Sequence, residues 1–173
     1  MKKQTNIMMI EDHPEYREIV EMAISRQDDM TLSDQFGTAE RAIQQLEDDE
    51  LDNKPDVILL DLKLPGISGL EVLELLAKKA PKTRIIVLTQ SDHEEDVLNA
   101  IMQGASGYLL KSSTVPQLIE GIRNVMKGGA TLDARIAKYV MESLRIRLPH
   151  EELEKMLTAR ELEILRLLAE GMV

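Results

Sequence analysis

The chain has 173 residues, of which 43% are hydrophobic, a formal net charge of -10 and no cysteine. The lack of cysteine excludes disulfides, thiolate metal sites and a cysteine nucleophile. A chain this acidic repels nucleic-acid phosphates unless its cations are gathered in one place. One Phe, three Tyr and no Trp leave no aromatic platform for stacking single-stranded bases.

The first apolar run of the chain, residues 7–10, is interrupted at once by Glu11 and Asp12. Such a run is too short for a signal-peptide core and far too short to cross a bilayer. We therefore expect a soluble, unexported protein with no membrane partner. A reducing cytoplasm fits the cysteine-free composition.

Four short apolar runs predict strands, and they cover residues 7–10, 57–60, 85–88 and 108–110. The runs are unbroken rather than alternating, which is typical of strands that helices cover on both faces of a parallel sheet. A weaker run at residues 31–36 predicts a further strand near an edge of the sheet.

Five helices are predicted between these strands, at residues 14–26, 38–50, 68–79, 92–103 and 114–127. Pro14 suits a first helical turn, and Ser68, Ser91 and Thr114 each begin a capping-box pattern. Strands that alternate with helices through short loops indicate a doubly wound α/β fold. The number of units favours a flavodoxin-like, five-stranded parallel sheet.

A linker, residues 128–150, follows the fifth helix, which Gly128 and Gly129 end. It contains a further predicted helix at about residues 133–147, broken at Pro149. Apolar side chains recur on this helix at helical spacing, at Ile136, Val140, Met141 and Leu144. Packing against its own domain and a dimer seam explain this stripe equally well.

Polar residues follow the predicted strands at the edge of the sheet where ligands of this fold bind. They are Glu11, Asp12, Asp61, Thr89 and Lys111. Clustered carboxylates repel each other, so a hard cation such as Mg2+ is their natural partner. An ionised Asp beside Mg2+ can attack phosphorus, and an ammonium and a hydroxyl can bind the phosphoryl oxygens.

Each of these residues alone also has an ordinary structural explanation. Asp12 could simply cap the helix that follows it, and Glu11 could be a solvated loop residue. Thr89 could end a strand with a local hydrogen bond, and Lys111 could be surface charge. Their joint placement at consecutive strand ends is what indicates a phosphoryl site.

The first 127 residues resemble a bacterial response-regulator receiver, the CheY-like domain. The matching segments are IEDHP at residues 10–14, LDLKLPGISG at 60–69, VLT at 87–89 and GASGYLLK at 104–111. The resemblance implies that Asp61 is the phosphoacceptor and that a sensor histidine kinase is the partner. It implies a switch with slow self-dephosphorylation rather than a turnover enzyme.

The same resemblance assigns roles to the other residues of the site. Glu11 and Asp12 would hold Mg2+ together with Asp61 and the backbone carbonyl of Lys63. Thr89 and Lys111 would contact the phosphoryl group, and Tyr108 would be the aromatic residue that swings inward on activation.

Residues 151–173 resemble the opening of the helix-turn-helix domain of LuxR/NarL/FixJ-class regulators. The resemblance rests on LTARELEIL at 157–165 and AEG at 169–171, where Thr158 and Glu161 form a capping-box pattern. The sequence ends at Val173, before the recognition helix that would enter the major groove. We expect this incomplete domain not to bind an operator, whereas a full-length parent would be a transcription factor.

Two positions near the site depart from the common pattern of receivers. Lys63 replaces a common Met and places a cation beside the acidic site, and Gln90 replaces a small residue and could narrow access to Asp61. His13 flanks the site and is expected to be an exposed turn residue.

Two other functions stay open. An aspartyl-nucleophile phosphatase of the haloacid-dehalogenase type would need a second acid at position 63. An unphosphorylated interaction module is the other alternative.

Overall fold

The computed structural model of the protein describes residues 4–47, 54–90 and 94–147. Six strands and six helices alternate in this part of the chain. The strands are β1 (Thr5–Ile10), β2 (Met30–Phe36), β3 (Val57–Leu60), β4 (Arg84–Thr89), β5 (Gly107–Leu110) and β6 (Thr131–Leu132). The helices are α1 (Pro14–Ser25), α2 (Ala39–Glu47), α3 (Gly69–Lys79), α4 (Glu94–Met102), α5 (Val115–Met126) and α6 (Ala134–Arg147).

The strands form one parallel sheet in the order β2-β1-β3-β4-β5-β6. The chain moves from β1 outward to β2, returns to β3, and then continues in the opposite direction. This is the doubly wound fold predicted from the sequence. The weakest predicted strand, β2, lies at an edge of the sheet as expected.

Local signals in the sequence fix where several helices begin. Pro14 occupies the first turn of α1. The predicted capping boxes of α3 and α5 are confirmed. The Ser68 and Thr114 hydroxyls accept from the backbone N–H three residues later, and their own backbone N–H groups donate to the side chains of Glu71 and Gln117. The box predicted at Ser91 lies outside the described residues.

Helices cover both faces of the sheet and create two apolar cores. On one face, Met8 and Ile10 of β1 belong to a cluster with residues of α2, α3, α4 and α6. On the other face, Ile7 and Met9 pack with residues of α1 and α5. The unbroken apolar runs thus arise because successive side chains of a strand enter opposite cores.

The predicted count of five strands was too low, since β6 adds a sixth strand beside β5. This strand has only two residues, so its sequence has no apolar run to indicate it. Thr131 lies against two residues that lack side chains: a Cβ added to Gly107 would stand 2.4 Å from its Cγ2, and one added to Gly121 would stand 2.9 Å from its Oγ1. The two glycines therefore make room for β6.

Helix α6 lies against the domain rather than apart from it. Ile136 and Ala137 are fully buried, Met141 is 9% exposed, and Ile136 belongs to the same core cluster as Val97 of α4. Packing against its own domain therefore accounts for the described part of the predicted apolar stripe, while the side chain of Leu144 lies outside the described residues.

The division into a receiver at 1–127, a linker at 128–150 and a helix-turn-helix segment at 151–173 stays a prediction. The last of these segments, with Thr158 and Glu161, lies outside the described residues. Among the helices of the described ranges, none is long and apolar enough to span a membrane.

The outer strand β2 is irregular where it pairs with β1. Ile7 pairs with Leu32 but Met8 pairs with Asp34, so the register shifts at Ser33. The Ser33 hydroxyl donates to the backbone oxygen of Ile7 at 3.3 Å. The extra residue forms a bulge in the edge strand.

Candidate functional site

The carboxyl ends of β1, β3, β4 and β5 meet at one edge of the sheet. Ile10 pairs with Leu60, so Glu11 and Asp61 leave their strands at the same level. Thr89, the last residue of β4, pairs with Leu110, which places Lys111 directly beyond it. The structure thus brings together side chains that are 50 and 100 residues apart in the sequence.

The centre of this site is a buried ion-paired triad, defined here as Glu11, Asp61 and Lys111. The Lys111 ammonium lies 2.9 Å from Asp61 Oδ2, 2.8 Å from Glu11 Oε1 and 2.6 Å from Glu11 Oε2. The side chains are 7% exposed for Lys111 and 1% for each acid. Two carboxylates share one cation, so the triad carries a net negative charge away from water, an arrangement that is costly without a further cation.

Asp12 and His13 extend the acidic cluster towards solvent. The His13 Nδ1 atom lies 3.0 Å from Glu11 Oε1 and 2.8 Å from Asp12 Oδ1. The hydrogen bond with Glu11, together with the charge of Asp12, raises the pKa of the His13 imidazole. The side chain of His13 is 54% exposed, as expected for a turn residue, but it also contacts both acids.

Two residues of α1 support the site and were not predicted from the sequence. The Lys111 ammonium lies 5.1 Å from the centre of the Tyr16 ring, within the range of a cation–π contact. Burial and the charges of Glu11 and Asp61 raise the pKa of Tyr16 to about 12, so the phenol stays neutral. Arg17 donates to the backbone oxygen of Glu11 at 2.6 Å. The sequence signal available was spacing, since both residues lie in the helical turn after Asp12.

The remaining predicted site residues lie around the triad. Lys63 is exposed, and its backbone N–H donates to Asp61 Oδ1 at 3.1 Å, so the main chain at this position borders the carboxylate. Thr89 is fully buried, and its backbone oxygen accepts from the Lys111 N–H at 2.8 Å. Tyr108 is fully buried in the core cluster that includes α4 and α6. Gln90 is exposed.

The acids present an oxygen-rich donor set that suits a hard cation. Ligand atoms of Glu11, Asp12, His13 and Asp61 all lie within 4.8 Å of one another. Glu11 Oε2 and Asp12 Oδ1 are buried and accept no well-oriented hydrogen bond, although the Lys111 ammonium lies 2.6 Å from the first and His13 Nδ1 lies 2.8 Å from the second. Oxygens in this condition favour an added cation, and carboxylates are the ligands that Mg2+ prefers.

Comparison with known proteins agrees with this geometry. The family profile described as the response regulator receiver domain matches residues 7–123. That segment contains Glu11, Asp61 and Lys111.

The chain is also similar to curated proteins and to a solved structure. It is 38% identical over 172 residues to the nitrate/nitrite response regulator protein NarL of Escherichia coli K12, covering 99% of this chain and 78% of that protein. It is 33% identical over 172 residues to the oxygen regulatory protein NreC of Staphylococcus epidermidis ATCC 12228, covering 95% and 77%. The crystal structure of a LuxR-family two-component response regulator from Aurantimonas sp. SI85-9A1 superposes with a TM-score of 0.74 at 28% identity, covering 82% of this chain and 98% of that one.

Proposed function

Because the chain belongs to the response regulator family, as a receiver of the NarL/NreC type in two-component signalling that controls transcription, we propose that Asp61 is its phosphoacceptor. One observation carries this assignment. Asp61 is the carboxylate that lies between the Lys111 ammonium and the backbone N–H of Lys63, on the acidic edge of the sheet. Both donors can remain beside the group that Asp61 acquires.

Phosphoryl transfer requires an oxygen nucleophile and a means of offsetting negative charge. In the proposed step, a carboxylate oxygen of Asp61 attacks the phosphorus of a phosphohistidine on a sensor histidine kinase. An O–P bond forms, the N–P bond breaks, and its electron pair returns to the donor's imidazole nitrogen. The Lys111 ammonium is the fixed cation that stabilises the transferred oxygens.

The residues present fit Mg2+, and we assign its ligands to Glu11, Asp12, Asp61 and the backbone carbonyl of Lys63. When bound, Mg2+ would offset the repulsion between the carboxylate and the phosphoryl oxygens and orient them for attack. The protein's own contribution is to hold the acids together, and the Arg17 contact to the backbone of Glu11 serves this purpose.

Phosphorylation would then act as a switch through the partners of Lys111. Its ammonium bonds two carboxylates in the present structure and would gain phosphoryl oxygens as partners, while the Thr89 hydroxyl would contact the same group. A change in these contacts biases the packing of Tyr108 and α4. Tyr108 is fully buried, and we assign to it the inward movement on activation that the family resemblance implies.

The outcome of the switch would be altered association. We propose that the surface near α4 and α5 controls two events. One is self-association as a homodimer, and the other is release of the output segment. In this proposal the output segment, residues 151–173, belongs to a helix-turn-helix domain that binds DNA.

The deciding experiment is intact mass after incubation with Mg2+ and acetyl phosphate, with Asp61→Asn alongside. We expect one hydroxylamine-labile phosphoryl group on the wild-type protein and none on the variant. Absence of any adduct on the wild-type protein would favour the unphosphorylated interaction module. Continuous release of phosphate from many equivalents of a monoester would instead favour a phosphatase.

A further inference from the structure

The loop that carries Lys111 is hydrogen-bonded to the segment between β6 and α6. The Ser113 hydroxyl donates to Asp133 Oδ2 at 3.2 Å, and Arg135 Nη2 donates to the Ser112 hydroxyl at 2.9 Å. On the other side of Lys111, the Asp133 backbone N–H donates to the Tyr108 oxygen at 3.1 Å. This short segment therefore bonds the chain on both sides of Lys111, at Tyr108 before it and at Ser112 and Ser113 after it.

Asp133 joins two elements with one carboxylate. Its Oδ1 atom accepts from the Arg135 backbone N–H at 3.0 Å, which is the bond expected of a residue that caps α6. Capping uses only this oxygen, whereas Oδ2 binds the loop through Ser113. The carboxylate is 11% exposed, so water competes little for either bond.

The elements on either side of Asp133 are packed into the fold. The next turn of α6 places Ile136 and Ala137 in the core with no exposed surface, and β6 is paired with β5. On the loop side, Lys111 is attached to β4 by its own backbone N–H at 2.8 Å. The loop from Lys111 to Ser113 is therefore held at both ends, by β4 at Lys111 and by Asp133 at Ser113.

We propose that Asp133 is a positioning residue for phosphoryl transfer, which acts through Ser113 to hold the Lys111 loop and thereby couples α6 to the acceptor site. This inference rests on the proposed function of Asp61. The residue lies beyond the segment 7–123 that the family profile matches, so its influence on the acceptor site would come from outside that segment.

The coupling operates in both directions. If the position of α6 affects the Lys111 loop, a phosphoryl group that engages Lys111 must affect the stability of the α6 start by the same free energy. The start of α6 would then report the state of Asp61 to whatever follows α6 in the chain. If Asp133 only capped the start of α6, exchange at the start of α6 would not depend on the state of Asp61.

The test is made on the loop side, so that the cap of α6 stays intact. Ser113→Ala removes the donor to Asp133, Ser113→Thr retains a hydroxyl, and Ser25→Ala is a matched control at a serine that bonds only within the end of α1. The rate of phosphorylation by acetyl phosphate with Mg2+ is followed by intact mass. Loss of one hydrogen bond predicts a rate roughly 3- to 10-fold lower for Ser113→Ala. Rates close to wild type are expected for Ser113→Thr and Ser25→Ala.

A second measurement separates positioning from a structural role. Hydrogen exchange of the backbone amides at 133–137 is compared before and after phosphorylation. We expect phosphorylation to change the exchange of these amides in the wild-type protein and in Ser25→Ala, but not in Ser113→Ala. Urea denaturation of all three proteins serves as the control that each one is folded.

The outcomes distinguish the inference from the function on which it rests. A wild-type protein that takes no phosphoryl group overturns both. A wild-type protein that is phosphorylated, together with Ser113→Ala that matches it in rate and in the exchange response, overturns the role of Asp133 alone.

Discussion

Lys111 is the residue on which the charge balance of the site depends. It is the cation that touches both buried acids of the triad, and it lies over the Tyr16 ring at the same time. Removing one partner from a buried ionic group leaves uncompensated charge, which is more destabilising than never having had the group.

The first prediction concerns the stability that Lys111 provides. Lys111→Met keeps the length of the side chain but leaves Glu11 and Asp61 without the ammonium, so we expect the free energy of unfolding to fall by about 3 kcal/mol. Because an added cation can replace the lost charge, Mg2+ should recover more stability in the variant than in the wild-type protein. Urea denaturation with and without Mg2+ measures both effects.

The matched control is Lys78→Met, since Lys78 pairs with Glu74 on the exposed surface of α3, where both side chains are more than half exposed. An exposed pair of this kind contributes little to stability, because water screens its charges. Equal losses in the two variants, or no extra effect of Mg2+ on Lys111→Met, would contradict the prediction.

The second prediction separates the ring of Tyr16 from its hydroxyl. Tyr16→Phe keeps the aromatic face under the Lys111 ammonium, whereas Tyr16→Leu removes it. A cation–π contact contributes about 1 kcal/mol, so we expect phosphorylation by acetyl phosphate to slow about fivefold in Tyr16→Leu and to stay near the wild-type rate in Tyr16→Phe. Equal slowing in both variants would show that the hydroxyl is the important group.

At the scale of single elements, the start of α3 touches the loop that follows Asp61. A Cβ added to Gly69 would stand 2.2 Å from Leu62 Cα and 2.7 Å from the Asp61 backbone oxygen. The backbone N–H of Gly69 also donates to the Leu62 oxygen at 3.1 Å. Helix and loop are therefore in direct main-chain contact, and the geometry of the acceptor residue depends on this glycine.

The third prediction tests that contact. Gly69→Ala forces backbone atoms apart, because no flexible side chain can yield, and should lower the free energy of unfolding by about 2–3 kcal/mol. Gly37→Ala is the control, since its Cβ would meet only Arg17 Nη1 at an ordinary 3.5 Å. Thermal unfolding measures the loss, and a Gly69→Ala variant as stable as Gly37→Ala would refute it.

The elements themselves were largely predictable because their signals are local. Most strands and helices could be placed from the caps at Ser68 and Thr114 and from four unbroken apolar runs. The same runs located the polar residues that follow the strands. Strand β6 was not predictable, since a two-residue strand depends on Thr131 meeting Gly107 and Gly121, which are distant in sequence. The contact of Tyr16 with Lys111 was also missed, because it joins α1 to the residue that follows β5, far away in the sequence.

At the scale of the whole molecule, α6 belongs to the same core as the sheet. Ile136 is fully buried in a cluster that also contains Met8 of β1 and Leu73 of α3. A helix with such contacts cannot separate without exposing part of the main core.

The fourth prediction is that α6 unfolds together with the rest of the described domain. Ile136→Ala should lower the free energy of unfolding by about 2–4 kcal/mol while a single urea transition is kept. Far-ultraviolet circular dichroism reports helices, and tyrosine fluorescence reports Tyr16, Tyr108 and Tyr139. In each protein the two signals should share one midpoint, and that midpoint should be lower in the variant. Because Tyr139 lies in α6, independent unfolding of α6 would appear as an early phase in both signals, before the main transition, and such a two-step curve would contradict the prediction.

The bulge at Ser33 has a consequence for how folded copies of the protein meet in solution. The outer side of β2 offers unpaired backbone groups, and a flat strand there would be a template for joining sheets of different molecules. The shift between Leu32 and Asp34 twists this edge, and Asp34 adds a negative charge to it. Two copies that meet edge to edge would find their donors out of step and their charges alike. The irregularity thus disfavours the joining of two sheets through β2.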